Sequence, residues 1–350
     1  MKLAHSRLRQ AGFTLVEIMV GMVIGMLATI VILQVLSVFE TQKRTTTGTA
    51  DAQTNGSIAL YNISREMQGA GYPLMPAASS ALECTTLTYG ATGITSISPV
   101  TITNGTSDSI TIRYGTTRGG GVPSPIGASP VGNVVTLGTS VSPGSNFGCL
   151  VNDVSLIANG TTCALSTVTA LSSGATPPTV TLQNVTAAVA GANFACLGTW
   201  NEIVYAVSSG SLQRAGVDSV ADIVNIQAQY GISASGLVNT NALFNQVTQW
   251  VDASGGTWAA PSVVNRNRIK AIRIAIVARN AKMEPTDVTA ACSSLTGAAP
   301  TGLCAWEGSV ASPAPSIDLS ASDTNWARYR YRVFETIIPL RNMFWAKDTL

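Results

Sequence analysis

The residue types that carry out catalysis and bind metals are few in this sequence, and no spacing gathers them. The single histidine is His5, which stands in a short basic segment at the N-terminus. A chain cut beyond His5 has no Ser-His-Asp or Cys-His arrangement and no His-ligated zinc. The aspartates show neither an EF-hand pattern nor other clustering: Asp108, Asp153, Asp218, Asp222 and Asp252. We therefore expect no enzyme, no metal and no cofactor.

The six cysteines are the other candidates for chemistry, and they are widely spaced: Cys84, Cys149, Cys163, Cys196, Cys292 and Cys304. None belongs to a C-x-x-C pair of the kind found in metal knuckles and redox motifs. In an exported domain such cysteines are expected to form disulfides. Proximity along the chain favours two local pairs, Cys292 with Cys304 and Cys149 with Cys163.

Glu17 is the one charged residue in an otherwise apolar run over residues 13–39. As a helix this run spans about 40 Å, enough to cross a bilayer core of roughly 30 Å. A secretory signal has a shorter apolar core of about 7–15 residues. A carboxylate in a membrane helix costs on the order of 2.5–3.5 kcal/mol, and a plain anchor has no use for it. The run therefore predicts a transmembrane helix whose carboxylate has a function.

Charge outside the apolar run predicts its orientation and excludes one class of partner. Lys2, Arg7 and Arg9 precede the run with no acidic residue among them, which places the N-terminus in the cytoplasm and the remainder in the periplasm or outside. These three are part of 20 basic residues, so 17 remain against 18 acidic residues. A nearly neutral body gives no electrostatic basis for binding nucleic acid.

Residues 12–17 read Gly-Phe-Thr-Leu-Val-Glu after a basic leader and before an apolar helix. This arrangement resembles the type III signal of type IV pilins and type II secretion pseudopilins. The resemblance implies that a prepilin peptidase cuts between Gly12 and Phe13 and N-methylates Phe13. It also implies that Glu17 pairs with the Phe13 amine of a neighbouring subunit during assembly. Many major pilins carry a proline within this helix, whereas the first proline here is Pro73, which favours a minor subunit.

The remaining chain predicts an α+β fold, with a long N-terminal transmembrane and amphipathic helix packed on a β-rich globular head. Apolar residues recur at helical spacing as far as the glycines and proline of residues 69–73: Leu60, Ile63, Met67 and Ala70. Beyond them, Thr, Val, Ser and Gly alternate as in strands and turns. We predict a leader (1–12), a transmembrane helix (13–39), an amphipathic extension of the helix (40–71) and a periplasmic or extracellular head (72–350).

Three predicted strands lie in the second half of the head. Residues 203–214 read as a hairpin, and residues 269–277 are apolar at nearly every position, as in a buried central strand. Residues 329–337 alternate so that one face of a last strand is polar. Between the last two strands, residues 285–315 form a predicted long loop that holds Cys292 and Cys304.

Residues 222–231, 269–274 and 331–342 resemble PilW-type minor pilins, which implies a structural subunit that primes pilus assembly and sits in or near the pilus tip complex. The implied partners are prepilin peptidase, other minor pilins, the major pilin, the inner-membrane assembly platform and a tip adhesin. The implied location is the inner membrane and then the pilus at the cell surface. J-type pseudopilins of type II secretion share this architecture and remain an alternative. A second alternative is an adhesive tip subunit that binds through its tryptophans: Trp200, Trp250, Trp258, Trp306 and Trp326.

Overall fold

The structure, a computed structural model, describes residues 12–74, 84–90, 94, 96–138, 148–172, 174–237 and 241–343. The basic leader before Gly12 lies outside the described residues. The chain divides into two compact units, Met1–Ala50 and Asp51–Leu350.

A single long helix, α1, runs over Leu15–Met67. In the second unit its predicted apolar stripe is confirmed, because Ile63, Met67 and Ala70 are buried and Leu60 packs against the same core. After Met67 the backbone turns, and Gly71 adopts a positive φ of 77°, a conformation that glycine reaches without strain. The helix therefore ends where the glycines and proline predicted.

Sixteen strands follow α1 in the described part of the chain. They are β1 (Thr86–Tyr89), β2 (Val100–Thr103), β3 (Ser109–Gly115), β4 (Ser124–Val131), β5 (Val134–Leu137), β6 (Val154–Asn159), β7 (Thr162–Ser172), β8 (Thr179–Leu182), β9 (Asn193–Gly198), β10 (Trp200–Ser208), β11 (Ser211–Arg214), β12 (Val217–Ala221), β13 (Ile223–Ile232), β14 (Gln249–Asp252), β15 (Ile269–Met283) and β16 (Tyr329–Pro339). Two short helices, α2 (Gly255–Trp258) and α3 (Val263–Arg268), lie between β14 and β15.

Two of the three sheets share one core with α1. The first has the order β12-β11-β10-β3-β2 and the second the order β14-β13-β15-β16. Alternate isoleucines of β15 and Tyr230 of β13 are buried in this core together with Ile63 and Met67 of α1. The predicted hairpin is confirmed as β10 and β11, and β15 is the predicted central strand, paired on both sides.

The third sheet closes on itself. Its pairings run β7-β6-β9-β4-β5-β8, and β8 pairs again with the far end of the long strand β7, while β1 adds in parallel to β7. Six strands therefore form a small barrel filled by apolar side chains, among them Ile157, Val168 and Phe194. Closure gives each of these six strands a partner on both sides over at least part of its length.

The long loop between β15 and β16 packs on the opposite face of the four-stranded sheet. Its residues Trp306, Ile317 and Leu319 are buried against Ala275 and Val277 of β15. The prediction of a polar face on the last strand is wrong in part. Phe334 and Ile338 share the face of Arg330 and Arg332 and pack into the core with α1, so both faces of β16 contribute apolar residues.

Candidate functional site

The predicted processing motif stands at the start of α1. Gly12 and Phe13 are exposed, and the helix begins at Leu15. One carboxylate oxygen of Glu17, Oε2, accepts hydrogen bonds from the Thr14 backbone N–H and from Thr14 Oγ1, each at 3.0 Å. The Glu17 N–H donates to Thr14 Oγ1 at 3.3 Å. Thr14 and Glu17 thus form a reciprocal capping box.

The capping box was missed in the sequence, although its signal, Thr-x-x-Glu before an apolar run, is present. It gives Glu17 a local role in addition to the proposed pairing with a neighbouring subunit. The carboxylate satisfies a backbone donor and lies where the helix dipole favours negative charge.

The apolar part of α1 has the length and composition of a membrane span. Among the described residues, α1 is the one helix that meets both criteria. Its large apolar side chains are exposed from Leu15 to Phe39, as expected for a surface that lipid or other helices cover. The N-terminal unit therefore has the features of a membrane-anchoring helix.

The part of α1 that belongs to the second unit, residues 51–67, is called the head segment here. It approaches the sheets through small residues whose role was not predicted. Ala52 and Ala59 are buried, and a Cβ built on Gly56 would overlap the ring of Phe334 on β16. Small side chains let the helix backbone come close to the strand, much as small residues do between helices. The helical spacing of the small residues Ala52, Gly56 and Ala59 could have predicted this close approach.

All six cysteines are paired, and one of the two predicted pairs is correct. Cys292 bonds to Cys304, with Cα atoms 4.8 Å apart. The predicted Cys149–Cys163 pair is wrong, because Cys149 bonds to Cys196 and Cys163 bonds to Cys84, with Cα distances of 5.5 and 5.7 Å. Cys163 lies on β7, which pairs with β1 just after Cys84, whereas the Cys149 side chain lies in the barrel core with Cys196 of β9. Strand order, not sequence distance, sets the pairing.

None of the five tryptophans proposed for adhesion is exposed. Trp306 is buried, and the other four are half-buried. Trp200 packs against the core beneath β6 and β7, Trp258 against the core with α1, and Trp326 against the long loop. Their packing removes the observation on which the adhesive alternative depended.

Four of the aspartates considered above have structural partners: Asp218 and Asp252 accept hydrogen bonds from the side-chain amides of Gln213 and Gln229, whereas Asp108 and Asp153 accept them from the backbone. Asp108 is buried and accepts the N–H of Ala228 at 2.8 Å and that of Gly105 at 3.0 Å. Burial raises the pKa of Asp108 to about 6, although these two hydrogen bonds act against the shift. Asp153 accepts the N–H of Leu150 at 2.7 Å. Within the described residues no three His, Cys, Asp or Glu side chains are arranged to hold a metal ion.

Comparison with protein families finds two matches, at opposite ends of the chain. Residues 7–33 match the prokaryotic N-terminal methylation motif, and residues 202–342 match the type IV pilus-assembly protein W. Comparison with curated proteins and with solved structures finds no match. The second match begins within β10 and covers all three segments that carried the resemblance to PilW, with β11 to β16. Together the two matches support a PilW-type type IV pilin, a minor pilin related to the type IV pilus.

Proposed function

We propose that this minor pilin is a structural subunit that primes pilus assembly and sits in or near the pilus tip complex. The observation that carries the proposal is the presence, on one chain, of the N-terminal methylation motif and of the PilW match in the head. The motif supports processing by prepilin peptidase, and the PilW match supports a pilus over a type II secretion pseudopilus.

In this proposal the leader ends at Gly12, and Phe13 becomes the N-methylated first residue of the mature chain. Glu17 lies four residues further on, near the start of α1. Its carboxylate neutralises the Phe13 amine of a neighbouring subunit, because both charges are costly in a low-dielectric helix bundle. The apolar helix then joins the filament core, and the head faces the other minor pilins, the major pilin or a tip adhesin.

The proposal also covers the course of assembly. The apolar helix α1 holds the precursor in the inner membrane with a cytoplasmic N-terminus and a periplasmic head. The assembly platform then transfers the processed chain from the membrane to the pilus. The protein acts by insertion and packing, and no catalytic step is needed.

Mass spectrometry of the N-terminal peptide, from purified membranes and from sheared pili, tests this function. We expect a peptide that begins at N-methylated Phe13 and that is present in the pilus fraction. Gly12→Val is the matched control, because its side chain obstructs the peptidase and should leave an uncut precursor in the membrane. An intact Met1 in the wild type, or normal processing of Gly12→Val, would contradict the proposal.

Location within the pilus needs a separate measurement. Immunogold labelling of the head on intact pili should give label at filament ends and none along the shaft. Deletion of the gene should lower the number of pili per cell if the subunit primes assembly. Label distributed along the shaft would reject the tip location, and a wild-type number of pili in the deletion strain would reject the priming role.

A further inference from the structure

The last strand, β16, leaves one long edge of the four-stranded sheet open. It has 11 residues and pairs with β15, and no other strand of the described chain pairs with its second edge. The other strands that end a sheet in the described chain, β1, β2, β12 and β14, have four or five residues. Short edge strands and barrel closure are the usual protection of a sheet edge. β16 has neither.

The unpaired edge presents the backbone groups of alternate residues. The N–H of Leu340 donates to the carbonyl of Lys270 on β15 at 2.9 Å. Because the direction of backbone groups alternates along an antiparallel strand, the groups of Val333, Glu335 and Ile337 point away from β15. The pairing with β15 is regular from Tyr331 to Pro339, so this alternation holds along the edge. Pro339, which has no N–H, has the same outward parity.

Residues 333–338 also lack the side chains that usually block a sheet edge. Arg330 and Arg332 lie before this stretch and Pro339 after it, while Glu335 is its one charged residue. Ile337 is 59% exposed. A strand edge of this kind is a template for pairing with another chain.

A cavity of about 330 Å³ lies beside this stretch of β16, lined by Arg273, Trp306, Glu335, Thr336 and Ile337. Arg273 is buried, and its guanidinium lies between two indoles, 4.9 Å from the ring centre of Trp250 and 4.2 Å from that of Trp306. It donates through Nε to Gln229 Oε1 at 2.9 Å. No carboxylate of the described residues is within ion-pair distance of it.

The charges that line the cavity restrict what fits there. A carboxylate that enters meets Glu335, and an ammonium group meets Arg273, so a charged side chain of either sign has a like charge nearby. A neutral amide or hydroxyl accepts a hydrogen bond from a cation and donates one to a carboxylate. The cavity therefore favours an Asn, Gln, Ser or Thr side chain.

We propose that residues 333–338 of β16 accept an extended segment of a different pilus subunit, and not of a second copy of this chain, as an additional strand of the sheet. Backbone hydrogen bonds to Val333, Glu335 and Ile337 hold this segment. An uncharged polar side chain of the segment, on the face of Glu335 and Ile337, enters the cavity beside Arg273. The inference rests on the proposed function, because it takes the partner to be a subunit of the same filament.

Site-specific photo-cross-linking in piliated cells tests the identity of the occupant. The photoreactive residue p-benzoyl-phenylalanine is placed at position 337 of the full chain and, as a control, at the exposed position of Val131 on β4. We expect position 337 to cross-link to an extended segment of a different pilus subunit, with Asn, Gln, Ser or Thr next to the cross-linked residue. Cross-links to this chain's own residues 344–350, to a second copy of the chain, or at the frequency of the control would overturn the proposal.

A pair of substitutions separates backbone pairing from side-chain contact. Ile337→Pro removes an outward N–H, whereas Ile337→Ala removes the side chain and keeps the N–H. With the photoreactive residue at position 335, we expect Ile337→Pro to lower the cross-link yield about tenfold, because the partner's carbonyl loses its donor. Ile337→Ala should lower the yield less than threefold. Equal yields in the two variants would overturn the proposed strand pairing.

Two controls keep this test independent of folding and of the proposed function. Resistance of the membrane-bound head to added protease reports whether Ile337→Pro is folded. If that variant is not folded, Val333→Pro against Val333→Ala repeats the comparison at another outward position. If wild-type protein carrying N-methylated Phe13 is present in pili while position 337 gives no cross-link above the control, this inference fails and the proposed function stands.

Discussion

At the scale of single residues, Glu17 has two roles that a substitution can separate. Its carboxylate caps α1 through Thr14, and in the proposed function its charge pairs with the amine of a neighbouring Phe13. A glutamine retains the acceptor of the cap but not the charge. The cap requires only an oxygen, whereas the subunit pairing requires the negative charge.

We expect Glu17→Gln to enter the membrane and to be cut normally, yet to be absent from sheared pili. Glu17→Ala should show the same defect. The measurement is immunoblotting of membrane and pilus fractions from cells that express each variant. Wild-type incorporation of Glu17→Gln would show that the cap, and not the charge, is what assembly requires.

Lys270 is a second residue of interest, because its side chain is both charged and buried. Its side chain is fully buried, its Nζ has no hydrogen-bond partner among the described residues, and it lies 4.6 Å from the ring centre of Phe244. Burial lowers the pKa of Lys270 to about 8. At neutral pH the folded protein therefore keeps an ammonium group that would be more stable in water.

We expect Lys270→Met to raise the free energy of unfolding by about 1–3 kcal/mol at pH 7, after subtraction of the lost cation–π contact. Above about pH 8 the folded wild type loses a proton that the unfolded chain still holds, so its stability rises with pH and the gain from methionine shrinks. Thermal unfolding of the full chain in detergent at pH 7 and pH 9.5 measures the gain in stability and its decrease with pH. Lys282→Met, half-exposed on the same strand, is the control, and an equal gain at both pH values would refute the explanation.

At the scale of elements, the contact between the head segment of α1 and β16 depends on the absence of one side chain. Gly56 is buried under the ring of Phe334. Alanine is the better helix former by about 1 kcal/mol, but its methyl group would overlap the ring, and overpacking costs about 1–3 kcal/mol. Packing should outweigh propensity here.

We expect Gly56→Ala to destabilise the head by about 1–2 kcal/mol, whereas Ser57→Ala, one residue along on the exposed side, should change stability by less than about 0.5 kcal/mol. Phe334→Leu in the same chain should relieve the overlap, so the double variant should be more stable than the sum of the single effects predicts. Chemical unfolding of the wild type, Gly56→Ala, Phe334→Leu and the double variant gives the double-mutant cycle. Strict additivity would show that Gly56 is not limited by Phe334.

At the scale of the whole molecule, the head combines a part that matches the PilW family with a barrel that precedes the match. The match covers residues 202–342, whereas the barrel strands lie between Ser124 and Gly198. Two disulfides belong to this earlier part, Cys84–Cys163 and Cys149–Cys196, and close loops with sequence separations of 79 and 47. The third closes a separation of 12 in the long loop.

We expect disulfide mapping to find Cys149 linked to Cys196. Residues 119–213 contain no Lys or Arg, so trypsin leaves three cysteines on one peptide, and a protease that cuts after Leu and Phe is required. Replacing Cys149 and Cys196 together by alanine should lower the free energy of unfolding by about 4 kcal/mol, against about 3 kcal/mol for Cys292 and Cys304, because the longer loop loses more entropy when closed. A Cys149–Cys163 link would show that the barrel is paired differently.

Features that depend on residues close together in the chain could be predicted before the fold was known. The length and apolar composition of residues 13–39, the Gly-Phe-Thr-Leu-Val-Glu motif, the stripe that ends at Ala70 and the buried pattern of β15 are all local signals. They were sufficient to predict the α+β class, a helix long and apolar enough to span a membrane and the resemblance to type IV pilins. The short loop between Cys292 and Cys304 was likewise sufficient for their pairing, because few residues separate the two sulfurs.

The pairing of strands that are far apart in the chain follows from the fold and could not be predicted. Cys149 meets Cys196 of β9 in the barrel core, although Cys163 is nearer in sequence. Residues far apart in the chain also meet where Gly56 approaches Phe334 and where Arg273 is buried between two indoles. The open edge of β16 likewise depends on the order of the strands in its sheet. Such contacts follow from strand order and sheet packing, which the alternation of side chains within one strand does not encode.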